Sequence, residues 1–85
     1  MNKLITKYIS LLKIEDIKKF GIKNNIFLSD KELNYTYNII KNKHKELIDN
    51  PEDIFIEAKK YIDENKLIKI ERLFYEYKKR YKNYL

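Results

Sequence analysis

Residues 63–85 read DENKLIKIERLFYEYKKRYKNYL, and within them Leu67, Ile70, Phe74, Tyr77, Tyr81 and Tyr84 recur at alternating steps of three and four. Neither Gly nor Pro interrupts the run. Such steps line side chains along one face, so the stretch predicts a helix with a single apolar seam, about 30 Å long at about 1.5 Å per residue. An apolar seam needs a partner surface, and the other segments are expected to fold against this rod. The reading is an all-α protein: a compact single-domain bundle of four to five amphipathic helices over residues 1–85, with a long C-terminal helix.

Working back from that stretch, each preceding segment carries its own start signal. Asp63 stands at an N-cap position, with Ile62 and Leu67 placed as a hydrophobic staple. Before it, Asn50-Pro51-Glu52-Asp53 supplies a capping Asn, a Pro at the first helical position and two acids in the first turn. That fourth helix is expected to bury Ile54, Phe55, Ala58, Tyr61 and Ile62. The strongest local signal is the capping box Ser29-Asp30-Lys31-Glu32, flanked by Leu28 and Leu33. It predicts a third helix from Asp30 to about Ile48, with Leu33, Tyr37, Ile40, His44 and Leu47 facing inward. Glu15 and Asp16 open a second helix carrying Ile17 and Phe20, which either stops at Gly21 or continues to a left-handed cap at Asn24 or Asn25. Leu4, Ile5, Tyr8, Ile9, Leu11 and Leu12 keep helical spacing in a first helix over residues 2–12.

Composition narrows the function. Eighty-five residues with 44% apolar content and a single Gly and Pro favour one helical domain over a turn-rich β protein. The absence of Cys excludes disulfides, thiolate metal sites and a thiol nucleophile. No apolar run is long enough to span a bilayer, no secretory leader is legible at the start, and the chain reads as cytosolic, with no membrane partner. Its net charge of +6 is distributed in blocks. Residues 1–45 carry ten Lys against four acids, residues 46–64 two Lys against seven acids, and residues 65–85 seven Lys or Arg against two acids. A basic–acidic–basic chain either neutralises itself on folding or presents basic surfaces to a polyanion.

No catalytic constellation emerges. His44 is the sole His, and Glu46 beside it points to another face, so an oriented general base is not expected there. Glu52, Asp53 and Glu57 lack the Gly-bearing loop of a calcium site and are accounted for as partners of a helix N-terminus. No Gly-rich loop is present to cradle a phosphate. The expectation is a non-enzyme with no cofactor, no metal and no small-molecule substrate.

Two binding faces stand out. Lys31, Asn34, Tyr35, Asn38, Lys41, Asn42 and Lys45 fall on the outer face of the third helix, where Lys suits phosphates, Asn an adenine edge and Tyr a base stack. That face, helped by the basic run Lys78-Lys79-Arg80, is the alternative reading, a nucleic-acid-binding module. The leading expectation is a protein-interaction module using Tyr75, Tyr81, Tyr84 and Leu85 toward an unknown protein partner or a second copy paired along the Leu67–Tyr84 seam.

The runs Glu15-Asp16-Ile17-Lys18-Lys19-Phe20, Leu28-Ser29-Asp30-Lys31-Glu32, Asn50-Pro51-Glu52, Ala58-Lys59-Lys60 and Tyr77-Lys78-Lys79 resemble the YqfT-like small proteins of low-GC Gram-positive bacteria. Gly21 and His44 depart from the pattern. The resemblance implies a short cytosolic helical protein and brings no functional residue with it.

Overall fold

The computed structural model describes residues 3–82, and these form five helices: α1 (Lys3–Leu11), α2 (Ile14–Lys23), α3 (Asp30–Asp49), α4 (Pro51–Ala58) and α5 (Glu64–Arg80). No strand occurs among the described residues. The rod expected to organise the bundle is not its centre. That place belongs to the 20-residue α3, against which α1, α2 and α4 all pack, while α5 packs on α4. α5 stops after 17 residues at Arg80, with the Tyr81 amide closing the last turn on the Tyr77 carbonyl.

The helix ends follow local chemistry. At α3 the Ser29 hydroxyl accepts from the Glu32 amide at 3.2 Å, and the Glu32 carboxylate accepts from the Ser29 amide at 2.8 Å. At α5 the Asp63 carboxylate accepts from the amides of Asn65 and Lys66. Ile62 and Leu67, at the staple positions, are both buried. α2 runs straight through Gly21 and ends in a Schellman motif: Asn25 takes φ 60°, its amide donates to the Ile22 carbonyl, and the Ile26 amide donates to the Gly21 carbonyl at 2.7 Å. Gly is required there for a different reason from the one its position suggests. A Cβ at residue 21 would lie 2.7 Å from the Ile26 carbonyl oxygen, so the turn closes only on a residue without one.

Three expectations fail for identifiable reasons. Asn50 does not cap α4 with its side chain; its amide closes α3 on the Glu46 carbonyl, leaving Pro51 to start the next helix directly. Tyr61 lies in the turn after α4, 53% exposed, because the chain leaves the helix at Ala58 to reach α5. α3 is also broken at Lys43, whose φ of −130° and ψ of 24° bend the helix just before His44.

The core consists of Phe55, Ala58, Ile62 and Leu67, with Tyr35, Leu47, Ile70 and Phe74 packed around it. It is small. Among the described residues no large side chain is sealed completely from water, and the accessible surface is 6525 Å². A folded monomer of 10.5 kDa normally exposes roughly 5400 Å².

Candidate functional site

A cleft of about 550 Å³, partly open to solvent, lies between the helices. Four helices line it: α2 with Ile17, Phe20 and Gly21; α3 with Thr36, Ile39, Ile40 and Leu47; α4 with Ile54, Phe55 and Ala58; α5 with Leu67, Ile70, Leu73, Phe74 and Tyr77. Apart from Asp16 at α2, every lining residue is apolar, aromatic or a hydroxyl carrier. Its volume falls within the range of ligand-binding clefts.

The helices around the cleft are held by polar ties at its ends. Glu32 is the principal one. Its side chain leaves the α3 N-terminus and is buried, with one oxygen accepting from the Lys66 ammonium at 2.7 Å and the other from the Asp63 amide at 2.7 Å. One carboxylate therefore caps α3 and holds the start of α5. Burial raises its pKa, but the Asp63 amide, the Lys66 ammonium and the Ser29 donors outweigh burial and lower it from 4.5 to about 2.

Three further lysines donate to carbonyls at or near helix ends. The Lys41 ammonium donates to the carbonyls of Ile9, Ser10 and Leu12 at the end of α1, at 2.9, 3.0 and 3.2 Å. Lys78 does the same for Ile48 near the end of α3, and Lys69 for Asn25 beyond α2. A cation satisfying orphan carbonyls at a helix C-terminus is favoured both as hydrogen bond and by the macrodipole. Part of the positive charge in the sequence is thus internal structure.

This reassigns the expected nucleic-acid face. Lys31, Asn34, Asn38 and Lys45 are exposed on α3. Lys41 is not part of that surface, because its ammonium is taken up by α1. Tyr35 is not on it either: its ring stacks on Tyr61 with centroids 4.5 Å apart, its hydroxyl is buried without a hydrogen-bond partner among the described residues, and the ring borders the cleft. Burial, and behind it the charge of Glu57, pushes the Tyr35 phenol up. The face keeps its periphery and loses its centre.

The expected protein face is also redistributed. Tyr75 is 42% exposed, with its ring against Phe55 and Phe74, and burial followed by the charges of Glu52 and Glu71 raises its pKa. Tyr81 is 45% exposed and stacks on Tyr77, whose other neighbours are Phe20 across the cleft and the Arg80 guanidinium. Tyr84 and Leu85 lie outside the described residues. Of the Leu67–Tyr84 seam, Leu67 belongs to the core, Ile70 and Phe74 pack against it, and all three line the cleft with Tyr77. The cleft itself escaped sequence reading, since it is assembled from four segments whose apolar stripes each resemble ordinary core.

His44 follows the bend in α3, half-buried, with Nδ1 unpartnered among the described residues. No group of three or more His, Asp or Glu side chains placed to hold a metal occurs among the described residues, and no helix there is long and apolar enough to cross a membrane. Comparison of the chain with family models, curated proteins and solved structures gives no match, so the resemblance to YqfT-like proteins gains no support from it.

Proposed function

We propose that the protein is a non-enzymatic, cytosolic interaction module that receives the apolar side of another protein's helix in the cleft lined by α2, α3, α4 and α5. The observation that carries this reading is the cleft itself: about 550 Å³, partly open to solvent and walled mainly by aliphatic and aromatic side chains, in a chain whose own core is small. A helix laid in a groove buries residues at steps of three and four, and an unbroken apolar wall suits that mode. Catalysis, by contrast, needs converging polar groups that the cleft wall does not supply.

The nucleic-acid reading is weaker on this geometry. Direct readout needs a continuous row of side chains reaching the bases, and the bending of α3 at Lys43 together with the internal roles of Tyr35 and Lys41 interrupts that row. The test is amide chemical-shift mapping with two probes, a leucine-striped amphipathic peptide and a short DNA duplex. The peptide is expected to move the amides of Phe20, Gly21, Leu73 and Tyr77 and leave Lys31, Asn34, Asn38 and Lys45 in place. Shifts confined to the latter four, seen only with the duplex, would replace this reading with the nucleic-acid one.

A further inference from the structure

The apolar residues at the start of the chain divide into two sets once α1 has packed on α3. Ile5, Ile9 and Leu12 are half-buried. Leu4, Tyr8 and Leu11 are instead 49%, 64% and 64% exposed, and no residue of α1 is buried. At 3.6 residues per turn the exposed three share an arc of about 60° on the helix, beside the arc of Ile5, Ile9 and Leu12. None of them lines the cleft. α1 therefore presents a second apolar stripe that the bundle does not use.

The flank of that stripe away from the bundle is cationic. Lys3 and Lys7 stand there, both exposed, with Lys7 one turn from Leu4 and from Leu11. Residues 1–14 contain Lys3, Lys7 and Lys13 and no acid. The negative end of the helix is neutralised as well, since the Lys41 ammonium takes up the carbonyls of Ile9, Ser10 and Leu12. An apolar stripe on a protruding helix, bordered by lysines, is complementary to a surface with anions above and hydrocarbon below. Tyr8 suits such a boundary, because its ring is apolar and its hydroxyl stays with the headgroups. A second copy of this chain fits poorly, since pairing stripe to stripe would bring the Lys3 and Lys7 of both copies to one seam.

We infer that α1 lies on the surface of an anionic lipid bilayer, with Leu4, Tyr8 and Leu11 inserted at the headgroup boundary and Lys3 and Lys7 on the lipid phosphates. No helix among the described residues is long and apolar enough to cross a membrane, but resting on one needs only a short stripe with cations beside it. This revises the expectation of no membrane partner. It concerns a face separate from the cleft, so that either reading can fail alone.

The experiment uses the full chain and exploits its lack of Trp. Tyr8→Trp places a single indole on the stripe, at a position exposed enough to accept it. Its emission is expected to shift to the blue on adding phosphatidylglycerol–phosphatidylcholine vesicles. A lysine near an anionic surface strengthens binding about fivefold, so the two flanking lysines predict roughly twentyfold tighter binding than to phosphatidylcholine alone at about 50 mM salt, a preference largely lost at about 500 mM. In the same background, Lys3→Glu with Lys7→Glu should remove the preference, and Leu4→Ser with Leu11→Ser should abolish the shift, both without changing the helical circular dichroism. Ile56→Trp, 62% exposed on α4 among Glu52, Asp53 and Glu57, should show no shift. Unshifted Tyr8→Trp emission with the anionic vesicles, an equal shift of Ile56→Trp, or a preference untouched by the lysine reversals would overturn the inference. Dimerisation without vesicles that the two serine substitutions abolish would assign the stripe to a second copy instead.

Discussion

Replacing Glu32 by Gln should have a pH signature as well as a cost. The carboxylate is buried and accepts from the Ser29 amide, the Asp63 amide and the Lys66 ammonium, all within 2.8 Å. Gln keeps the shape but removes the charge and turns one acceptor into a donor facing N–H groups. A folded-state pKa lowered from 4.5 to about 2 corresponds to about 3 kcal/mol of stability at neutral pH. Because the folded value lies below the unfolded one, the unfolded chain takes up the proton first. The contribution is complete above about pH 4.5 and disappears as pH falls toward about 2. Urea unfolding followed by circular dichroism should therefore show Glu32→Gln less stable by about 3 kcal/mol at pH 7, with the gap to the native chain closing as the acid limit is approached. That is a large share of the total expected for a domain of this size, about 4–13 kcal/mol. Taking the difference between the two proteins cancels the other carboxylates. A gap under about 1 kcal/mol at pH 7, or one that stays constant down to the acid limit, would refute the assignment of Glu32 as the tie between α3 and α5.

Gly21→Ala should destabilise by about 1–3 kcal/mol in the same assay, although Ala favours a helix by up to about 1 kcal/mol, because its Cβ meets the Ile26 carbonyl at 2.7 Å; a stabilised variant would contradict the close approach. Lys41→Met keeps the aliphatic stem and strips three carbonyls of their donor, so amide exchange should accelerate in Tyr8 to Leu11 while Leu67 to Phe74 stay protected, with a loss of about 1–3 kcal/mol. Tyr35→Phe should be neutral or stabilising by up to about 1 kcal/mol, since the hydroxyl it deletes is buried and unpartnered among the described residues; a clear loss in thermal unfolding would show that the hydroxyl has a partner in solution.

What could be read from the sequence is what depends on residues within four or five of each other. The Ser29–Glu32 box, the Asp63 cap, Pro51 at a helix start and the Asn25 turn are of this kind, and all five helices follow from them and from the three-and-four spacing. What depends on distant partners was not legible. Lys41 and Lys69 find their carbonyls 29 to 44 positions away, and the second oxygen of Glu32 finds Asp63 31 positions away. Tyr35 and Lys41 occupy positions that a helical wheel assigns to the outer surface, yet Tyr61 and α1 lie beside them once the bundle forms. Periodicity marks a face as apolar without saying whether another helix covers it, and so the cleft looked like core. α3 replaced α5 as the organising helix because it sits in mid-chain, with helices before and after it in reach of short connections.

The most direct test of the cleft is calorimetric titration of the protein with the leucine-striped amphipathic peptide at several temperatures. Seating an apolar stripe in the cleft predicts a clearly negative heat-capacity change, about 0.2 kcal/mol/K for each ~500 Å² of apolar surface removed from water. Binding with a heat-capacity change near zero and an affinity governed by salt alone would mean that the peptide rests on the lysines and leaves the cleft unused, contradicting the account.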